Sequence, residues 1–205
     1  MPRTARDPVA TRRSLLDAAL RVIREKGFVA TSVDELCAAA GVSKGAFFHH
    51  FTDKEALAVA AAEYFSDGAA ELFAAAPHRE LADPRDRLFG YLAMRRALLD
   101  GALPDVTCLL GTMVQEVYDT HPAVREACAF GIGAHAGTLV ADIASAKARH
   151  APTADWDPES LALHTQAVIQ GAFVLAKAAG DTRVAVDALD HLERYLRCLL
   201  PDIRA

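Results

Sequence analysis

Residues 11–57 read TRRSLLDAALRVIREKGFVATSVDELCAAAGVSKGAFFHHFTDKEAL, and this stretch decides the fold. From Arg13 to Lys26 the apolar residues Leu15, Leu16, Ala19, Leu20, Val22 and Ile23 recur at three- and four-residue spacings. Arg13, Asp17, Arg21, Arg24 and Glu25 occupy the other face, so an amphipathic helix is expected, stopped by Gly27. Ser32 and Glu35 stand at capping-box spacing, each able to satisfy the other's free backbone amide, which starts a second helix at Val33. That helix is short, because Gly41 after Ala40 can take the left-handed conformation of a sharp reversal. Ser43 offers another N-cap for a third helix through Lys44, Gly45, Ala46, Phe47, Phe48, His49 and His50. Two short helices meeting across one glycine read as a DNA-binding helix-turn-helix.

Gly27-Phe28, Ala30-Thr31-Ser32, Ala39-Ala40-Gly41-Val42-Ser43-Lys44-Gly45, His49-His50-Phe51 and Lys54-Glu55-Ala56-Leu57 resemble the N-terminal signature of TetR/AcrR-type transcriptional repressors. Many fixed points over about the first quarter of the chain make the match more specific than an isolated motif. The resemblance implies an all-α, nine-helix architecture. A helix-turn-helix domain over 1–52 would precede a helical ligand-binding and dimerisation domain over 53–205. It further implies a third helix in the major groove, a homodimer on a palindromic operator, and release by a small inducer. No cofactor is expected. Position 48 is usually tyrosine in that family, with a hydroxyl in reach of a phosphate; here it is Phe48.

Within the first domain, Ser43, Lys44 and Gly45 open the third helix, where backbone amides and a small side chain suit a phosphate. Lys54 reads as a second phosphate clamp and Thr31 as a third. Ala46, Phe48, His49 and His50 are left for base edges or sugars, with Ala46 and Phe48 suited to a thymine methyl. Phe47 and Phe51 read as core anchors, while Phe48 is open to either role. His49 and His50 point about 100° apart on a helix and cannot chelate a metal together.

The net charge of −5 is unevenly divided. Residues 1–55 hold nine Lys and Arg against seven Asp and Glu, whereas the remainder holds 13 against 20. The positive end is the helix-turn-helix end, but its excess is small, so affinity must come from two copies and specific contacts. No apolar stretch of about 20 residues is apparent and MPRTARDP lacks a signal-peptide core, so a cytoplasmic protein is expected. Cys37, Cys108, Cys128 and Cys198 show no metal-type spacing and read as reduced, packed thiols.

Beyond Leu57, prolines at Asp83-Pro84, Leu103-Pro104, His121-Pro122 and Asp157-Pro158 mark helix starts. Helices are expected over 53–76, 84–100, 105–119, 122–149, 158–179 and 182–200, the first of them joining the two domains rigidly. The apolar stripes of the last two include Leu161, Val168 and Ile169, then Leu189, Leu192 and Leu196, and resemble the family's dimer interface. Candidates for the inducer site are Phe65, Phe89, Tyr91, Met94, Cys108, Met113, Gln115, Phe130, His135, Gln166, Gln170, Phe173 and Lys177. Gln166 and Gln170 share a helix face with Phe173 and Lys177, placing amides in an apolar setting that calls for partners. Gly131, Gly133 and Gly137 leave room near His135 for close approach, with a histidine bonded to a neighbour as the alternative. The inducer would be small and mostly apolar. If Cys108 at a helix start were activated by Lys177, it would instead be electrophilic, as in some members of the family.

No GxSxG, HExxH or glycine-rich phosphate loop is present, so the chain does not read as an enzyme. The alternative reading is a helical small-molecule-binding or interaction protein that has lost operator binding, suggested by Phe48 and the weak positive balance.

Overall fold

A computed structural model describes residues 7–202. The described residues form ten α-helices and one 3₁₀ turn, with no strand among them. In chain order these are α1 (Pro8–Lys26), α2 (Val33–Ala40), α3 (Lys44–His50), α4 (Lys54–Ala74), the 3₁₀ turn Pro77–Glu80 and α5 (Pro84–Ala97). They are followed by α6 (Leu103–Val106), α7 (Leu109–Val117), α8 (Pro122–His150), α9 (Pro158–Ala179) and α10 (Arg183–Leu199).

Local chemistry accounts for most of these limits. Asp83 and Asp157 cap α5 and α9, accepting from the amides of Arg85 and Ser160, with proline in the first turn of each. Asp7 and Pro8 do the same for α1, which therefore starts five residues before the amphipathic stripe at Arg13. The expected 105–119 helix is two helices. Thr107 and Cys108 are extended, and the Cys108 Sγ accepts from the Gly111 amide, so a fresh helix begins there and the count rises from nine to ten.

Chain packing divides into two compact units. Unit 1 comprises residues 1–67 and 108–131, and unit 2 comprises 68–107 and 132–205. This division differs from a single cut after residue 52, since α7 and the start of α8 pack with the helix-turn-helix, and α1 meets α2, α3 and α7. In unit 1 the buried side chains include Leu15, Ala19, Ile23, Phe28, Leu36, Phe47, Phe51 and Leu57. Burial of each leucine or phenylalanine contributes on the order of 1.5–3 kcal/mol.

In unit 2, α10 packs on α9 and α5, closing a core that runs from Phe73 to Leu200. Leu161, Ile169, Leu189, Leu192 and Leu196 lie buried in this core, with Val168 half-buried against it. These expected interface residues therefore pack within their own chain. The stripes of two adjacent amphipathic helices face each other, and the outer faces carry exposed Leu163, Val174, Leu175 and Tyr195 instead.

Two expectations from composition also change. α8 is long and apolar enough to meet the length and hydropathy of a membrane span. Its sequence is rich in alanine and glycine, and Val124, Cys128, Ala136, Leu139, Ile143 and Ala146 on it are buried in the protein. Among the cysteines, Cys37 and Cys128 are buried as expected, but Cys108 is half-buried and Cys198 exposed. Burial pushes the Cys128 thiol up to about 12, with Cys108 adding to the effect.

Candidate nucleic-acid interface

The helix-turn-helix is built from short-range caps. Ser32 Oγ accepts from the Glu35 amide while the Glu35 carboxylate accepts from the Ser32 amide. A hydrogen bond from Lys26, followed by those from Ser32, lowers the Glu35 pKa to about 2. Gly41 ends α2 at φ 63°, the left-handed value, and Ser43 Oγ then accepts from the Ala46 amide to open α3.

On α3, Phe47 is fully buried and Phe51 just after the helix is buried too, fixing the helix to the core as the sequence suggested. Ser43, Lys44, Gly45, Phe48 and His49 are exposed, and Ala46 and His50 are half-buried. Phe48 is 51% exposed, an unusual position for a large apolar ring, and meets the Phe47 ring edge-on at 5.1 Å. Lys44 is also exposed and pairs with Asp34 across the turn at 2.9 Å, and this partner raises its pKa. His50 is shifted down by burial, then by His49 and Arg12.

Two expected phosphate contacts point inward. Thr31 is buried, and its hydroxyl donates to the Gly27 carbonyl at 2.6 Å. The Lys54 ammonium donates to the carbonyls of Phe28 (2.9 Å) and Thr31 (2.8 Å), has Val29 O at 3.4 Å, and lies 4.3 Å from the Phe28 ring centre. With its three protons committed, Lys54 holds the α1–α2 loop rather than standing ready for a phosphate. Burial lowers its pKa, opposed by Glu116.

Glu116 on α7 was not singled out from the sequence. Its carboxylate accepts from the Val29 amide at 2.9 Å, beside Gly27 at φ 92°, where an added Cβ would come within 1.9 Å of Oε1. Phe28 meets the His121 ring edge-on at 5.3 Å, and Tyr64 donates to Asp17 at 3.0 Å. These partners lie 87 and 47 residues apart for Glu116 and Tyr64, and no local pattern could have found them.

Residues 15–61 match the family described as bacterial regulatory proteins, tetR family, and residues 84–192 match the tetracyclin repressor-like C-terminal domain. The chain belongs to the TetR family. This TetR-family chain is 31% identical over 147 residues, 71% of its length, to the transcriptional regulator AcuR of Cereibacter sphaeroides. It is likewise 31% identical over 121 residues, 59% of its length, to the transcriptional repressor DhaR of a Mycobacterium species. It spans 58% of each of those relatives, and the matched stretches span 18–41% of four other regulators. A TetR transcriptional regulator of Chloroflexus aurantiacus superposes with a TM-score of 0.80 at 27% identity, covering 94% of this chain and 96% of that one. The TetR-family chain thus carries the helix-turn-helix DNA-binding domain of that family, and the relatives named are transcriptional regulators.

The expected inducer residues separate between the units. Unit 1 holds Phe65, Cys108, Met113, Gln115 and Phe130. Met113 is core, Phe65 is half-buried under Arg24, and Gln115 bonds to its own helix at Gly111 O. Phe130 is 77% exposed and lines no interior, since its helix turns Cys128 and Val124 inward instead. Unit 2 holds the rest. Phe89 lies between Arg85 and Arg197, Met94 packs on the core, and Gln170 and Lys177 are half-buried. Cys108 and Lys177 fall in different units.

Three of the candidates converge. Tyr91 Oη accepts from Gln166 Nε2 at 3.2 Å and from Arg95 Nε at 2.9 Å, and lies 3.0 Å from His135 Nε2. Arg95 also donates to His135 Nε2. Burial, then the Arg95 charge, pushes His135 down to about 3. It is a neutral ring whose Nε2 accepts. Phe173 lines a small cleft beside Arg95, a residue that no pattern in the sequence singles out.

Proposed function

We propose that the protein is a ligand-responsive repressor that binds a palindromic operator as a homodimer in the cytoplasm and leaves it when a small inducer enters unit 2. The observation that carries the DNA reading is the outer face of α3, where Lys44, Gly45, Phe48 and His49 stand exposed on a helix anchored by buried Phe47. Lys44 and the first amides of α3 would meet phosphates, and Phe48 and Ala46 would meet apolar base edges. Phe48 supplies no hydroxyl for a phosphate, so its contribution is apolar.

A two-fold operator requires a second copy. Leu163, Val174, Leu175 and Tyr195 form an exposed apolar face on α9 and α10, interleaved with the small Ala167 and Gly171, and a copy of the same face fits it best. Because α4 and α8 each contribute residues to both units, an inducer that favours one arrangement of unit 2 has continuous helices through which to alter the spacing of the two α3 helices. A hundredfold preference would amount to about 2.7 kcal/mol.

The test is a gel shift with DNA flanking the protein's own gene, with sedimentation of the wild type and of Leu175→Glu. A dimer that shifts this DNA, and a folded monomer that does not, support the reading. Operator binding by a monomeric variant would defeat it. An electrophilic inducer is a second reading, resting on Cys108 Sγ at the N-cap of α7. Operator release by a quinone that persists in Cys108→Ser removes it.

A further inference from the structure

Arg95 departs from the way unit 2 treats its other guanidinium groups. Arg79 and Arg87 share Asp142, Arg96 takes Asp190 and Glu193, and Arg85, Arg149, Arg183 and Arg197 each have an acidic neighbour. Arg194 stands exposed on α10. Arg95 is half-buried, and among the described residues no carboxylate lies within ion-pair reach of it.

Its partners are all neutral. Nε donates to Tyr91 Oη, another nitrogen donates to His135 Nε2, and the guanidinium lies 4.4 Å from the Phe73 ring centre. Tyr91 is held in turn by Gln166. The fork is therefore fixed in direction by neutral groups and by the faces of the Phe73 and Tyr91 rings, with no carboxylate to balance its charge. Arg95 also lines a cleft whose other walls, Leu99, Ile169, Phe173 and Leu189 among them, carry no charge. Its free volume is about 10 Å³, room for roughly one water.

We propose that the effector is a small monocarboxylic acid whose carboxylate pairs with the Arg95 fork and whose short apolar body enters between α5, α9 and α10. A planar carboxylate matches a rigid guanidinium in two parallel hydrogen bonds, which an amide or alcohol of the same shape cannot reproduce. Uncharged walls leave no partner for a second acid group. The closed cleft is too small for the apolar body, so the acid selects an arrangement in which α10 and α9 part, and this differential affinity is what an inducer needs. The proposal rests on unit 2 being the ligand-responsive part of the protein.

The experiment measures melting temperature of the full chain without DNA against acetate, butyrate, hexanoate, benzoate and phenylacetate, each beside its amide, with inorganic phosphate as a further anion. At least one acid raises the wild-type melting temperature while its amide and phosphate do not. Arg95→Gln weakens that acid by about tenfold or more, and Arg95→Lys by less, as expected for a charge-assisted pair. Circular dichroism checks that both variants fold, and the acid–amide contrast on wild type needs no variant. The idea is overturned if no acid acts at millimolar concentration, if amides or phosphate act equally, or if folded Arg95→Gln keeps full affinity. Acid binding that leaves the operator complex intact upholds the site and rejects its regulatory role. Release by an uncharged amphiphile alone keeps the ligand-responsive reading and rejects the carboxylate.

Discussion

The helix-turn-helix and the Tyr91 cluster both depend on polar groups held in place, yet they find their partners over very different distances along the chain. Ser32 and Glu35, or Ser43 and Ala46, are three residues apart. Tyr91 reaches Arg95 locally, but His135 and Gln166 come from 44 and 75 residues away. The first arrangement follows from local backbone geometry and survives in any context that lets the helices form. The second exists only when α5, α8 and α9 are packed together, so its shape reports on that packing.

The strongest way to break this contrast is Tyr91→Phe. Removing one hydroxyl strips partners from Arg95, Gln166 and His135 together, and we expect a loss of about 2–4 kcal/mol in urea unfolding. A loss under about 1 kcal/mol would mean that the cluster is a set of independent bonds.

A smaller effect should appear in the acid stability profile. His135 titrates near 3 when folded against 6.5 ordinarily, so between those values the unfolded chain binds more protons. Stability then rises with pH across this window and is lost as pH falls below 6.5, by at most about 1.4 kcal/mol per pH unit. His135→Gln should flatten the slope; an equally steep profile in that variant would assign it elsewhere.

Ser32→Ala should cost about 1 kcal/mol, confined to the first turn of α2 and without effect on acid binding in unit 2. Smallest in stability but clear in function, Lys44→Ala should leave the melting temperature nearly unchanged and reduce the salt slope of operator binding by about one per subunit. Lys54→Met should do the reverse, because its ammonium holds carbonyls of the protein's own loop. Equal salt slopes in wild type and Lys44→Ala would remove Lys44 from the DNA face.

The same difference in range explains what could be read from the chain alone. Caps, the Gly41 reversal, proline helix starts and the burial of Phe47 and Phe51 all follow from neighbours within a few residues. Asp7-Pro8 carried the same signal as Asp83-Pro84 and shows that the cue was present even where the amphipathic stripe began later. The expected interface stripe failed for a different reason. Periodicity tells which face of α9 and α10 is apolar but not whether a sister helix or a sister molecule covers it, and here the sister helix does. Lys54 and Thr31 read as phosphate contacts because a cation or hydroxyl near a helix start looks alike whether it faces a phosphate or its own loop. Arg95 had no signature, since its meaning lies in the carboxylate that is not beside it.

Glu116, bonded to the Val29 amide and pressed against Gly27, bears on how such regulators can be recombined. A hybrid made by grafting residues 1–52 onto another sensor would leave that amide without its acceptor and Phe28 without the His121 edge. A transplant that also carries residues 53–67 and 108–131 brings the DNA reader with its own buttress, so in this protein the exchangeable cassette is discontinuous in sequence though compact in space.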